Sequence, residues 1–445
     1  MSVADACNVC SPDRVGLLAD TTPLRTPDFR RLWLAGIVTV IGANLTIFAV
    51  PVQIYALTQN SAYVGLAGFF ALLPLVVFGL WGGAWADAMD RRSLLIIASS
   101  GLAVASVLLW AQAALALNDV WVVMGLLSVQ QAFYAINQPT RSAAIPRMLP
   151  TEQLPAANSL NMTVFQFGAI AGPLLAGVLL RWVDLSTLYL IDAVCCAAPI
   201  WATARLSPMP AAAGSPRWGL AAVVEGFRYL AGNTVVLMSF VVDLIAMIFG
   251  MPRALFPQIA HQSFGGPLEG GATVAVLAAA MSAGAVAGGV FSGWLPRVRR
   301  QGLVVVAAII VWGLAMVGFG AATGFAHCRP GPMLWAALSF LALGGAADMA
   351  SAAFRSTILQ QAAFDELRGR LQGVFTVVVA GGPRVADTVH GAAAAVVGTA
   401  AAAAGGGVLA VVGVVIAALA VPAFVRYRPD RVVDVDVKGP EVDKS

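Results

Sequence analysis

The sequence predicts an all-α polytopic membrane protein with twelve transmembrane helices in two pseudo-symmetric halves of six. Three observations carry this: the hydropathy of the whole chain, the placement of its arginines, and an internal repeat. Of 445 residues, 59% are hydrophobic and only 11% charged, where a soluble domain has roughly 45–50% apolar and about 25% charged residues. The mean hydropathy is +0.84. Apolar runs long enough to cross a hydrocarbon core of about 30 Å recur along the chain.

Runs bounded by charges and turn residues predict spans at 32–57, 64–86, 93–117, 120–138, 160–180, 185–204, 235–259, 271–295, 303–325, 333–356, 371–397 and 405–425. The last two are separated only by the glycines of AAAAVVGTAAAAAGGG. The domain plan is a tail at 1–29, a six-helix half at 30–205, a linker at 206–234, a second half at 235–425 and a tail at 426–445.

With a cytoplasmic N-terminus, thirteen arginines fall in inner loops: Arg91, Arg92, Arg141, Arg147, Arg205, Arg217, Arg228, Arg297, Arg299, Arg300, Arg355, Arg368 and Arg370. Two, Arg181 and Arg329, fall outside. The positive-inside rule therefore places both termini in the cytoplasm of a multi-pass inner (plasma) membrane protein. The net charge of +4 is accounted for by this bias and calls for no nucleic acid.

The halves repeat. An offset of 206 places Pro51 on Pro257, Gly65 on Gly271, Gly82 on Gly288, Gly83 on Gly289 and Arg91 on Arg297. After the loop AHCRPGP the offset becomes 214, matching Arg141 to Arg355, Glu152 to Glu366 and Gly177 to Gly391. Between the halves, Leu220, Val223, Val224, Phe227 and Leu230 share one helical face, with Glu225 and Arg228 off it. That pattern predicts a helix lying on the membrane surface. Parallel six-span halves around a midplane site are the layout of a rocking transporter.

Enzymatic and cofactor-dependent readings find little support. Cys7 and Cys10 form a single CxxC in the N-terminal tail, without the second ligand pair of a zinc site. The three histidines have no metal-spaced partners, and no GxxxxGK[ST] phosphate loop is present. No metal and no cofactor is expected.

GGAWADAMDRR at 82–92 resembles the loop between helices 2 and 3 of the major facilitator superfamily, and the resemblance extends from Phe29 to Arg428. It implies an inner gate built on Gly83, Asp87, Arg91 and Arg92, closing against the start of helix 11. Ala88 replaces the family's arginine and Asp90 its glycine, so Asp90 joins the gate as a candidate charge. GAIAGPLLAG at 168–177 is similar to the helix 5 signature of exporters in the superfamily, carried here by Gly168, Gly172, Pro173 and Gly177, with Ala176 for one glycine. PDFRRLWLAG, VPVQIYALTQNSAYVGL, RSAAIPRMLPTEQLPAANSL, EGFRYL and RGRLQGVF resemble the enterobactin, macrolide and multidrug efflux group within it.

Charges inside spans are costly, so each is a functional suspect. Asp243 lies mid-span in helix 7, which lines the cavity in the superfamily, and is expected to be a lone carboxylate that couples transport to protons; a pairing with Arg384 is the structural alternative. Arg384, Asp387 and His390 recur at i, i+3 and i+6 on helix 11, either as a neutralised pair or as an anion site with a proton carrier. Asp348 and Arg355 on helix 10 suggest a gate pair or a plain salt bridge. Asp192 is assigned a structural role, and Arg253 is placed at the outer mouth. Asn44, Gln130, Gln131, Phe165 and Gln166 are expected to line a mostly apolar pocket.

The expected function is secondary active export of small amphiphilic molecules, siderophore-like or drug-like, by a monomer exchanging substrate for protons across the lipid bilayer. Helix 4 lacks an arginine in SVQQAFYA, a departure from many proton–drug antiporters. An importer or lipid mover on the same scaffold is the alternative, and a receptor or intramembrane enzyme a remote one.

Overall fold

The computed structural model describes residues 20–209, 233–293, 298–362 and 368–427; of residues 80–84, 86–88, 359–362 and 368–380 only the backbone is described. The tails, including Cys7 and Cys10, and the amphipathic linker segment lie outside the described residues, as do the side chains of Gly83 and Asp87.

Among the described residues the chain is helical, without strands. The first half comprises α1 (Pro27–Thr58), α2 (Ser61–Ala88), α3 (Arg91–Ala114), α4 (Val120–Met148), α5 (Leu154–Leu179), α6 (Leu185–Cys195) and α7 (Ala197–Ala204). The second comprises α8 (Thr234–Gly250), α9 (Phe256–Gln262), α10 (Ala272–Val290), α11 (Gln301–Gly324), α12 (Pro332–Ala362), α13 (Arg368–Val397), α14 (Thr399–Ala420) and the short α15 (Pro422–Val425). Eleven spans are long and apolar enough to cross a membrane; α13, which carries the predicted intramembrane charges, runs alongside them.

The helix boundaries follow from local chemistry. Asn60, Asp119 and Asn233 cap α2, α4 and α8 by accepting from backbone N–H groups of the first turn. Between α13 and α14 the predicted glycine turn is Gly398, at φ +83°, a left-handed conformation that glycine adopts without a Cβ clash. The helix resumes at Thr399, several residues earlier than hydropathy placed it. The predicted seventh span is interrupted: α8 stops at Gly250, Pro252 follows, and a 3-10 turn at Arg253–Leu255 leads into α9. Proline removes a backbone donor and breaks the helix there. The carbonyls left free by the break are bonded from neighbouring helices, Gly250 by the indole N–H of Trp312 at 3.0 Å and Phe249 by Nε2 of His390 at 3.2 Å.

The interior of the first half contains a polar network. Asp192 of α6 is 2% exposed and accepts from the hydroxyls of Thr46 at 2.7 Å and Ser106 at 2.8 Å. Nearby, Tyr189 donates to Gln53, which pairs with Gln112. These bonds tie α1, α3 and α6 together, consistent with the structural role expected for Asp192.

Candidate functional site

The halves meet at one end through two glycine crossings. On α2 and α13, a Cβ on Gly65 would lie 2.8 Å from the Cα of Gly391, and Thr388 donates to the Gly65 carbonyl at 3.0 Å. On α5 and α10, a Cβ on Gly177 would lie 3.2 Å from the Gly271 carbonyl oxygen and would clash with Ala275. The sequence repeat relates these contacts: Gly65 corresponds to Gly271 and Gly391 to Gly177. One pseudo-twofold operation thus generates both, and small residues permit the close approach. Around them Gln258 accepts from the Ser61 N–H at 3.1 Å, and the rings of Tyr55 and His261 stand 6.2 Å apart. Farther along the same two helices, a Cβ on Gly381 would meet Leu72 at 3.3 Å.

The repeat also relates two arginines. Arg141 of α4 reaches α1, donating to the Leu32 carbonyl at 3.3 Å and filling the space over Gly36. Its counterpart, Arg355 of α12, reaches α8, where it forms a buried ion pair with Asp243. At an offset of 206 the position of Asp243 is occupied in the first half by Ile37. Both arginines brace the same pair of helices in their half; only the second meets a carboxylate. Arg355 also lies 3.7 Å from Asp348, whose side chain is 24% exposed.

At mid-depth, on the face between the halves, stand Arg253, Asp348, Arg384 and Asp387. Arg384 and Asp387 approach at 4.0 Å. Arg253, in the break between α8 and α9, acts electrostatically on Asp348, Arg384 and Asp387 alike, and Tyr134 of the first half acts on Arg384. The cluster therefore gathers both signs of charge around one space. Among the described residues no group of His, Cys, Asp and Glu could hold a metal ion.

The sequence profile of transmembrane secretion effectors, a branch of the major facilitator superfamily, matches residues 19–443. The chain belongs to this family. It is similar to the enterobactin exporter EntS of Citrobacter koseri, 26% identical over 372 residues that cover 82% of this chain and 85% of that protein. EntS of Salmonella typhi is 25% identical over 370 residues, again 82% and 85%. Among solved structures, a bacterial homolog of the human lysosomal transporter Spinster superposes with TM-score 0.70 at 14% identity, over 92% of this chain and 100% of that one. A D-xylose–proton symporter gives TM-score 0.67 at 13% identity, over 87% and 96%. The protein is a multi-pass transporter of the major facilitator fold, not an enzyme.

Within this member of the family, several expected side-chain placements are revised. Asp243 is not a lone carboxylate, and its partner is Arg355 rather than Arg384. Asp348 and Arg355 form a salt bridge within the second half, the plainer of the two expected readings. His390 is 2% exposed and packs against Gly406 of α14 while bonding Phe249; its ring is turned into the helix bundle because the break in the seventh span leaves a carbonyl there to satisfy. Arg253, expected at the outer mouth, acts electrostatically on Asp348, Arg384 and Asp387. Asn44 packs on Gly172 and bonds the Val40 carbonyl, Gln130 donates to Ser106, and Gln131 is buried. Phe165 is exposed and Gln166 half-buried.

The described part of the inner-gate loop bonds to the first half and to the start of the linker. Asp90 caps α3 by accepting from the N–H and hydroxyl of Ser93, and its other oxygen accepts from the Met209 N–H at 2.6 Å. The Arg91 N–H donates to the Met209 carbonyl at 3.1 Å, Arg91 Nη1 to Ala143 and Arg92 to Ala204. In the helix 5 signature, Gly168 and Gly172 seat Val40 and Asn44 of α1, and Gly177 forms the crossing described above. Tyr134, 38% exposed, and Arg253 were not foreseen as cavity groups. The repeat held a signal for Tyr134, since at an offset of 214 it corresponds to Asp348.

Proposed function

We propose that this transporter exports small amphiphilic molecules, siderophore-like or drug-like, in exchange for protons. The observation that carries the reading is a mid-depth cluster of Arg253, Asp348, Arg384 and Asp387 beneath an end sealed by the two glycine crossings. Arginine placement assigns the sealed end to the outside and both termini to the cytoplasm. A sealed outer end above the cluster suits an inward-facing state ready to load cargo. Charges of both signs beside Tyr134 suit an amphiphile bearing a few polar groups. The relation to enterobactin exporters favours export over import. Arg384 and Asp387 contact the cargo, and a carboxylate of the second half exchanges the proton; the protein works as a monomer.

The test uses inverted membrane vesicles carrying a proton gradient and a pH-sensitive dye, to which siderophores, macrolides, tetracyclines and cationic dyes are added in turn. Proton release on adding one class, reduced in Arg384→Gln or Asp387→Asn, supports the reading. Cargo accumulation without proton movement retains export and rejects antiport. Movement in neither direction, with lipid scrambling in the same vesicles, would replace it with the lipid-mover reading.

A further inference from the structure

The repeat and the ion pairs together reverse the roles expected of two carboxylates, Asp243 as proton carrier and Asp348 as gate or salt-bridge partner. Arg141 and Arg355 occupy matching positions and brace matching helices, α4 to α1 and α12 to α8. In the first half the brace needs no acid, because the guanidinium donates to a backbone carbonyl and Ile37 stands where the second half has Asp243. Asp243 is thus the counter-ion of a structural brace: 2% exposed, it contacts a guanidinium buried with it. A carboxylate so placed has a buried guanidinium as its partner and almost no exposed surface.

Asp348 is placed differently. It precedes Arg355 by the same seven residues by which Tyr134 precedes Arg141, so the two occupy one register in the two halves. Tyr134 is exposed on the face between the halves and acts on Arg384 across it. Asp348 is 24% exposed on the corresponding face of α12. Its ion-pair partner among the described residues, at 3.7 Å, is the guanidinium already held by Asp243. Arg384 and Asp387 of α13 share the cluster with it, and the other charges about it come from three places. On its own helix stands Arg355; from α8 comes Asp243, and from the turn after α8, Arg253. The segments of α10 and α11 packed against α12 carry no titratable side chain.

Resting on the antiport reading above, we propose that Asp348 is the carboxylate that takes up and releases the coupled proton, while Asp243 stays ionised as the permanent partner of Arg355. In the ionised state Asp348 shares Arg355 with Asp243. Protonation from the cavity leaves the guanidinium to Asp243 alone, and the bracing pair persists through the cycle.

The test is pH-difference infrared spectroscopy of the full-length protein in liposomes, following the stretch of protonated carboxyl groups, with vesicle proton flux as a second readout. The spectral test needs no cargo, so its outcome is independent of whether antiport itself is found. In the expected result, Asp348→Asn removes a titrating carboxyl signal that Asp243→Asn retains. Asp348→Glu restores both that signal and any cargo-driven proton release. Should Asp243→Asn fail to fold, the paired variant Asp243→Asn/Arg355→Gln replaces it, and the Asp348 signal is expected to remain. A titrating signal that survives Asp348→Asn unchanged, or one lost with Asp243 and kept without Asp348, overturns the assignment.

Discussion

Gly65 and Gly391 meet backbone to backbone, so that a Cβ on Gly391 would lie 2.7 Å from the Cα of Gly65. Their repeat counterparts Gly271 and Gly177 hold the other crossing of the same end. A β-branched side chain at Gly65, Gly177 or Gly391 forces the halves apart where they are packed closely. Gly391→Val and Gly177→Val are therefore expected to bias the protein toward an opened outer end without unfolding either half. A cysteine at Ser61, in a background with the native cysteines replaced, reports this: labelling by an impermeant maleimide in intact cells rises severalfold in both variants. Equal labelling in parent and variants would show that the crossings do not seal the end.

The Asp243–Arg355 pair predicts a stability effect apart from transport. Removing one member of a buried ion pair strands the other, at a cost of about 3–5 kcal/mol, whereas replacing both is often close to neutral. Asp243→Ala is expected to lower the thermal midpoint of the detergent-solubilised protein strongly, and Asp243→Ala/Arg355→Met to recover most of it. In the first half, Arg141→Met breaks a single bond to a carbonyl and is expected to cost less. A double variant as unstable as the single one would contradict the brace.

Asp90 carries a pH dependence of defined sign. Burial works to raise its carboxyl, but the hydrogen bonds from Ser93 and Met209, with the charge of Arg92, outweigh this and hold it below the usual carboxylate range. Its stabilising contribution is fully present above the ordinary carboxylate value and is lost as pH falls through the depressed one. Asp90→Ala also removes the cap of α3, a loss of about 1 kcal/mol. The difference in thermal midpoint between parent and variant is expected to be constant from neutral to mildly acidic pH and to shrink only in strong acid. A difference that vanishes already at mildly acidic pH would argue against the bonded carboxylate.

Much of the fold was legible because it depends on quantities a sequence carries directly. Hydropathy located the spans, and the repeat linked Gly65 to Gly271 and Gly177 to Gly391 before their contacts were known. The site was less legible, because a mid-span charge reveals its depth but not its azimuth or its partner. Asp243, Asp348 and Arg384 all lie near mid-depth, and only the packing of α12 on α8 selects Arg355 for Asp243. The break after Gly250 misled in two ways: it turned Arg253 toward the cluster and gave His390 a carbonyl to bond. Pro252 was the signal for that break, hidden within an otherwise continuous apolar run.

The break itself yields the last prediction. Trp312 and His390 each donate to a carbonyl at the end of α8, at Gly250 and Phe249. A buried carbonyl that loses its donor costs about 1–3 kcal/mol, so Trp312→Phe, which keeps the aromatic packing and deletes only the N–H, is expected to lower the thermal midpoint by several degrees. His390→Gln retains an N–H donor of similar reach and is expected to lose less than His390→Ala. The same pair of variants tests what His390 does in transport. A histidine that carries protons cannot be replaced by glutamine, which does not titrate, whereas one that serves as a backbone donor can. Proton flux in vesicles is accordingly expected to survive His390→Gln and to fall in His390→Ala in proportion to the loss of folded protein. Flux abolished in a fully folded His390→Gln protein would return this residue to the proton path.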